Sequence, residues 1–118
     1  MKSFAKKTKK NPLPKTLRGK KRYALVALRS SVPLVSREVV SAVLSNQREW
    51  FGVIGLARQS LSVISFDPKT GSLVVKCALR QVEDVKAGLV LLERVGTVVV
   101  SAEIVRVSGS LKGLGVKG

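Results

Sequence analysis

The chain has 118 residues, enough for one domain with a modest core. It carries 22 Lys/Arg against 7 Asp/Glu, one cysteine and no histidine, which excludes an internal disulfide and a zinc site of the usual type. A formal net charge of +15 points to a polyanionic partner, most often nucleic acid.

The charge is uneven. Residues 1–22 contain Lys2, Lys6, Lys7, Lys9, Lys10, Lys15, Arg18, Lys20, Lys21 and Arg22 and no acid. The remainder holds the other basic residues and every acidic one, and is still basic. Residues 1–21, broken at Pro12 and Pro14, are expected to form a flexible cationic arm. Its lysines run into Asn11-Pro12-Leu13-Pro14 rather than an apolar stretch, so no secretion signal is read there. The longest apolar region, Ala87–Ala102, is interrupted by Glu93-Arg94, too early for a membrane span. An intracellular, cytoplasmic protein is expected.

The first strand is predicted from Arg22 through Tyr23-Ala24-Leu25-Val26-Ala27-Leu28-Arg29, a near-continuous apolar run of the kind central strands show, ended by Pro33. Ser36 is a good N-cap for a first helix, with Glu38 near the positive end of the dipole. Val39, Val40, Val43, Leu44, Gln47 and Trp50-Phe51 recur at helical spacing and make one core-facing stripe, with Gln47 the polar exception. Gly52 and Gly55 are expected to break this helix, with Phe51, Val53 and Ile54 packed beneath the turn and the next strand beginning near Leu56.

Two β-rich runs, Leu61–Phe66 and Leu73–Leu79, flank Asp67-Pro68-Lys69-Thr70-Gly71. Proline sets φ for the first corner of a type I turn, aspartate suits the position before it, and Gly71 tolerates the left-handed residue that closes the loop. This is a β-hairpin. Leu73, Val75, Cys77 and Leu79 form its apolar face, and Val74, Lys76 and Ala78 the other. Cys77 alternates with apolar neighbours and reads as a buried small hydrophobe. A second helix is predicted from about Gln81 to Val95, with Val82, Val85, Leu89 and Leu92 inward and Glu83-Asp84 at its start. After Gly96-Thr97 the last strand runs from Val98 to Val107, and glycine-rich residues 111–118 read as a flexible tail.

The order β-α-β-β-α-β predicts an α+β fold, a ferredoxin-like (RRM-like) sandwich with one four-stranded antiparallel sheet and both helices on one face. Its domain would span residues 22–110. The other sheet face would be open. Base stacking there needs aromatics in the central strands, and Leu73-Val74-Val75-Lys76-Cys77-Ala78 has none. Recognition of backbone and shape by Lys/Arg, suited to a folded RNA, is the reading that remains. Val74, Ala78, Val99 and Val105 on that face resemble a protein–protein patch, for another subunit or a second copy of the chain.

Four segments, in order, resemble the ribonuclease P protein component 2 family of archaea, small RNase P/MRP subunits: Lys20-Lys21-Arg22-Tyr23, Phe51-Gly52-Val53-Ile54-Gly55-Leu56-Ala57, Phe66-Asp67-Pro68-Lys69-Thr70-Gly71, and Arg106-Val107-Ser108-Gly109-Ser110. The resemblance implies a subunit that supports the catalytic RNA removing the 5′ leader of precursor tRNA. It also implies a TIM-barrel-like partner, RNase P protein component 3. It implies no cofactor on the protein, with Mg²⁺ held through the RNA. The chain departs from the family's pattern in an arm longer than usual and in stopping soon after Ser110, where relatives often continue into a helix.

In this topology the first and last strands are antiparallel neighbours, so the start of one lies by the end of the other. The candidate RNA-binding residues are therefore Lys15, Arg18, Lys20, Lys21 and Arg22 on one side and Arg106, Ser108, Gly109, Ser110 and Lys112 on the other. No catalytic residue is assigned. Histidine is absent, and Glu38, Glu49, Asp67, Glu83, Asp84, Glu93 and Glu103 are scattered rather than clustered for metal. A ribosomal or other ribonucleoprotein protein, and a ferredoxin-like regulatory module that binds a ligand, are the alternatives.

Overall fold

The computed structural model describes residues 20–115; most of the predicted arm, including Lys15 and Arg18, lies outside them. In chain order it has β1 (Lys21–Ser30), α1 (Ser36–Gln59), β2 (Ser62–Asp67), β3 (Ser72–Ala78), α2 (Val82–Val90), β4 (Arg94–Val95) and β5 (Val98–Ser108). Single 3-10 turns follow β3, at Leu79–Gln81, and β5, at Lys112–Leu114. The class is α+β: two helices against an antiparallel sheet ordered β2-β3-β1-β5-β4.

The expected four strands become five. β4 is only two residues long, pairing Arg94 with Val99 and Val95 with Val98. It takes the last residues assigned from sequence to the second helix, so α2 ends at Val90 rather than Val95. The apolar stripe persists past the helix end because Leu92 and Val95 are core residues in either conformation.

The core lies between the sheet's inner face and the helices. Ala24, Val26 and Leu28 of β1 and Leu73, Val75 and Cys77 of β3 meet Val39 and Val43 of α1 and Val85 and Leu89 of α2. Each Val or Leu among them contributes roughly 1.5–3 kcal/mol by leaving water. Burial also pushes the Cys77 thiol pKa up, outweighing the opposite pull of Lys21.

The hairpin forms as its sequence dictates. Gly71 N–H donates to the Asp67 carbonyl (2.8 Å) and Lys69 N–H to Asp67 Oδ1 (2.9 Å). Gly71 has φ +74°, and a β-carbon there would run into the Leu28 carbonyl. Leu28 N–H in turn donates to the Gly71 carbonyl (2.8 Å), tying the turn to the end of β1.

Helix α1 departs from expectation in three ways. Ser36 is its first residue rather than its cap; Val35 holds the cap position and no side chain caps the end. Gly52 (φ 75°, ψ 175°) kinks the helix, but a second segment continues to Gln59, with Gly55 inside it, so β2 starts at Ser62 rather than near Leu56. Only Gly52 takes the left-handed φ that breaks a helix. The third departure is at the kink, where Trp50, Val53 and Ile54 face solvent (54, 65 and 70% exposed) and only Phe51 is partly covered. Val53 and Ile54 follow the kink and are left uncovered by the sheet, whereas Trp50 precedes it and lines a groove with other residues of the first segment.

Gln47 is buried and belongs in the stripe. Its Nε2 donates to the Val85 carbonyl (3.1 Å), and Asn46 Nδ2 to the Gly88 carbonyl (2.7 Å), so two amides stitch α1 to α2.

Candidate nucleic-acid interface

Register decides which side chains meet at the start of β1. Tyr23 lies between Lys76 of β3 and Ser108 of β5, Leu25 between Val74 and Arg106, and Lys21 beside Ala78. Tyr23 and Leu25 alternate with the core residues Ala24 and Val26, so they and their cross-strand partners belong to the outer sheet face. At this end that face presents Lys21, Lys76 and Arg106 and no carboxylate.

Arg22 has the opposite parity and sits at the rim. Its Nη1 donates to the Lys21 carbonyl (3.0 Å), and a β-carbon on Gly109 would lie 3.2 Å from it. The glycine leaves the guanidinium room against the backbone. Leu79 N–H donates to the Lys20 carbonyl (3.2 Å), which brings exposed Arg80 to the same end. Segments near residues 20, 80 and 106 thus converge on one cationic strand end.

The predicted convergence of Lys20, Lys21 and Arg22 with Arg106, Ser108 and Gly109 is what the register produces. Arg22 and Arg106 do not share a face, however: one lies at the rim and the other points outward. Ser108 and Ser110 are occupied within the loop, where Ser108 Oγ accepts from Ser110 N–H (3.3 Å) and Ser110 Oγ from Gly113 N–H (3.1 Å). Lys112 is exposed on the turn after β5. Sequence reasoning misses Lys76 and Arg80. Alternation already places Lys76 on the outward side of β3, but its neighbours depend on register; Arg80 lies in the 3-10 turn after β3 and carries no motif.

The stretch read as a flexible tail begins with an ordered turn. Arg106 Nη1 donates to the Gly113 carbonyl (3.5 Å), so the turn lies on Arg106's side of the sheet. It packs on β1 and β5 and buries Leu114. Val74, on the same face, is also buried (2% exposed) and stands apart from the main core, as Leu114 does. Of the four residues read as a protein patch, Val74 is therefore closed to a partner and Ala78 is half-covered. Val99 and Val105 are open (64 and 54% exposed), Val105 at a bulge where β5 slips register against β1.

Among the described residues no group of three or more His, Cys, Asp or Glu could hold a metal, and no helix is long and apolar enough to cross a membrane.

The protein is thus a small α+β domain whose sheet gathers arginine and lysine at one strand end. Three comparisons place that domain. The sequence model of the Rpp14/Pop5 family matches residues 22–115, and the chain belongs to that family. It is 30% identical over 102 residues to ribonuclease P protein component 2 of Thermococcus kodakarensis, covering 86% of this chain and 85% of the relative. With the protein of that name from Methanosarcina barkeri it shares 28% over 97 residues, 82% of this chain and 70% of the other. A chain in a cryo-EM structure of yeast ribonuclease MRP superposes with a TM-score of 0.65 at 12% identity, over 83% of this chain and 79% of that one. That likeness concerns the fold.

Proposed function

We propose that this protein is a non-catalytic subunit of ribonuclease P that grips structured RNA at the start of β1. The family is one of RNase P/MRP protein subunits. The observation that carries the RNA contact is the register of three strands, which puts Lys21, Lys76 and Arg106 on one face in steps of two residues, with Arg22 and Arg80 at the rim. Lysine and arginine so placed neutralise phosphates without reading bases, and the face offers one aromatic, Tyr23, not a stacking platform. Lys15 and Arg18 would extend the same contact into the arm.

The β-α-β-β-α-β order fits a ferredoxin-like sandwich in which β4 is an addition before the last strand. Mg²⁺ would come with the RNA, and RNase P protein component 3 would be the protein partner, in the cytoplasm. Val99 and Val105 would serve that partner or a second copy of the chain.

The test is reconstitution. Precursor tRNA is incubated with RNase P RNA and Mg²⁺, with and without this protein, and with protein alone. The expected result is 5′-leader removal that needs the RNA and that the protein supports at lower Mg²⁺. Cleavage by protein alone, once contaminating nuclease is excluded, would overturn the non-catalytic role. No effect of the protein on the RNA's reaction would overturn the subunit role.

A further inference from the structure

On the helix side, away from the cationic strand end, an open groove of about 510 Å³ runs between α1 and the link from α2 to β5. Its wall on α1 is Glu38, Ser41, Ala42, Ser45 and Glu49, residues of one helix face, and Trp50 closes one end. Leu91, Leu92, Glu93 and Arg94 form the opposite wall.

Three features set this groove apart. It holds the chain's only tryptophan, more than half exposed, and exposed Leu91 on the opposite wall. It collects three of the seven carboxylates of a strongly basic protein. The other four are accounted for locally: Glu103 pairs with Arg29 (3.2 Å), Glu83 with Lys86 (3.4 Å), Asp67 holds its hairpin turn, and Asp84 lies in the first turn of α2. Glu38 also lies in a first helical turn, but Glu49 and Glu93 have no such partner, and none of the three makes an ion pair among the described residues.

With three carboxylates against one arginine, Arg94, the groove disfavours nucleic acid and suits a cationic segment with apolar side chains to set against Trp50 and Leu91. The chain contains one. Residues 1–19 hold Lys2, Lys6, Lys7, Lys9, Lys10, Lys15 and Arg18, no acid, and Phe4, Leu13 and Leu17. Nineteen residues reach up to roughly 60 Å when extended, beyond the 54 Å longest dimension of the molecule. We propose that this groove is a docking site for the chain's own residues 1–19, occupied in the free protein. RNA, where it binds, would compete for the same lysines, so the groove would set how readily the arm is released.

Docking is tested on the full chain without RNA, which keeps it independent of the function proposed above. Zero-length carbodiimide coupling at low ionic strength should join arm lysines to Glu38, Glu49 or Glu93, read by mass spectrometry on a mixture of ¹⁴N- and ¹⁵N-labelled protein. Acrylamide quenching of Trp50 should rise when ionic strength goes from 0.01 to 1 M, as the Debye length falls from about 30 to 3 Å. Glu38→Gln/Glu49→Gln/Glu93→Gln should lower the docked-to-free ratio roughly tenfold, the sum of three exposed ion pairs, and remove the salt effect on quenching. Glu83→Gln/Asp84→Asn, the same kind of change outside the groove, should leave both readouts alone. Cross-links confined to other carboxylates would overturn the proposal, as would quenching that ignores both salt and the triple substitution. Links only between ¹⁴N and ¹⁵N chains would also overturn it, because the occupant would then be the arm of a second copy.

Discussion

At the start of β1, Lys21, Lys76 and Arg106 stand on three neighbouring strands; across the domain, Glu38, Glu49 and Glu93 line a groove on the helices. The first surface is built by register, so residues far apart in sequence become neighbours only once the sheet forms. The second is built mainly by helical period, since Glu38, Ser41, Ala42, Ser45 and Glu49 recur along one side of α1. In a chain of +15 the acids are therefore not spread evenly to dilute the charge. Layer by layer, the sheet end is left for a polyanion and the groove for a cation.

The sharpest way to break that division is to reverse the cationic end. Lys21→Glu with Arg106→Glu should weaken binding to RNase P RNA by about 100-fold or more, taking each charged hydrogen bond as about 1.5–3 kcal/mol. The log–log salt slope should also become shallower by roughly 0.7–0.9 for each phosphate no longer neutralised. Filter binding across a salt series reads both. Glu49→Gln with Glu93→Gln should not make the slope shallower, because these carboxylates would hold arm lysines, and releasing the arm frees those lysines for RNA. An equal change of slope from both pairs would mean the two surfaces are not separate.

The groove also depends on the seam beneath it. Gly88 lies where a β-carbon would approach Gln47 Oε1 and Nε2 to 2.5 Å, and Gln47 is buried with its Oε1 unpartnered. Gly88→Val should cost about 1–3 kcal/mol by overpacking and lower the melting temperature by roughly 4–8 °C per kcal/mol, as calorimetry would show. Unfolding at the wild-type temperature would mean the seam opens freely and the groove wall is not fixed.

What the amino-acid sequence alone makes legible follows the same division. The hairpin was legible because Asp67, Pro68 and Gly71 each have a local reason to be where they are. The meeting of Arg22 with Gly109 was legible because it follows from strand order alone. Lys76 and Arg80 were not, since a lysine's neighbours across a sheet depend on a register that one strand does not encode. Nor was the exposure of Val53 and Ile54: hydrophobicity says these side chains favour cover, and the Gly52 kink that precedes them is where this domain's own sheet stops supplying it. The two-residue β4 was hidden for a third reason, because Val95, its one apolar residue, fits the helical stripe equally well.

The smallest expected effect on the folded monomer concerns the apolar residues left open on β5. Val99 lies opposite Arg94 on β4 and is 64% exposed. A carboxylate there would face a guanidinium across the strand pair, an interaction of roughly 0.2–1 kcal/mol that offsets the lower strand preference of glutamate. Val99→Glu should thus leave monomer stability within about 0.5 kcal/mol of wild type, as for other exposed substitutions. The same carboxylate would be costly if Val99 were buried against another subunit, where it would lose water without gaining a new partner. Denaturant titration and sedimentation velocity at rising concentration, with and without RNase P protein component 3, separate these cases. Unchanged unfolding together with abolished association would assign the β5 edge to a partner. Unchanged association would move the protein interface elsewhere, and the exposed residues beside the Gly52 kink would be the next surface to alter.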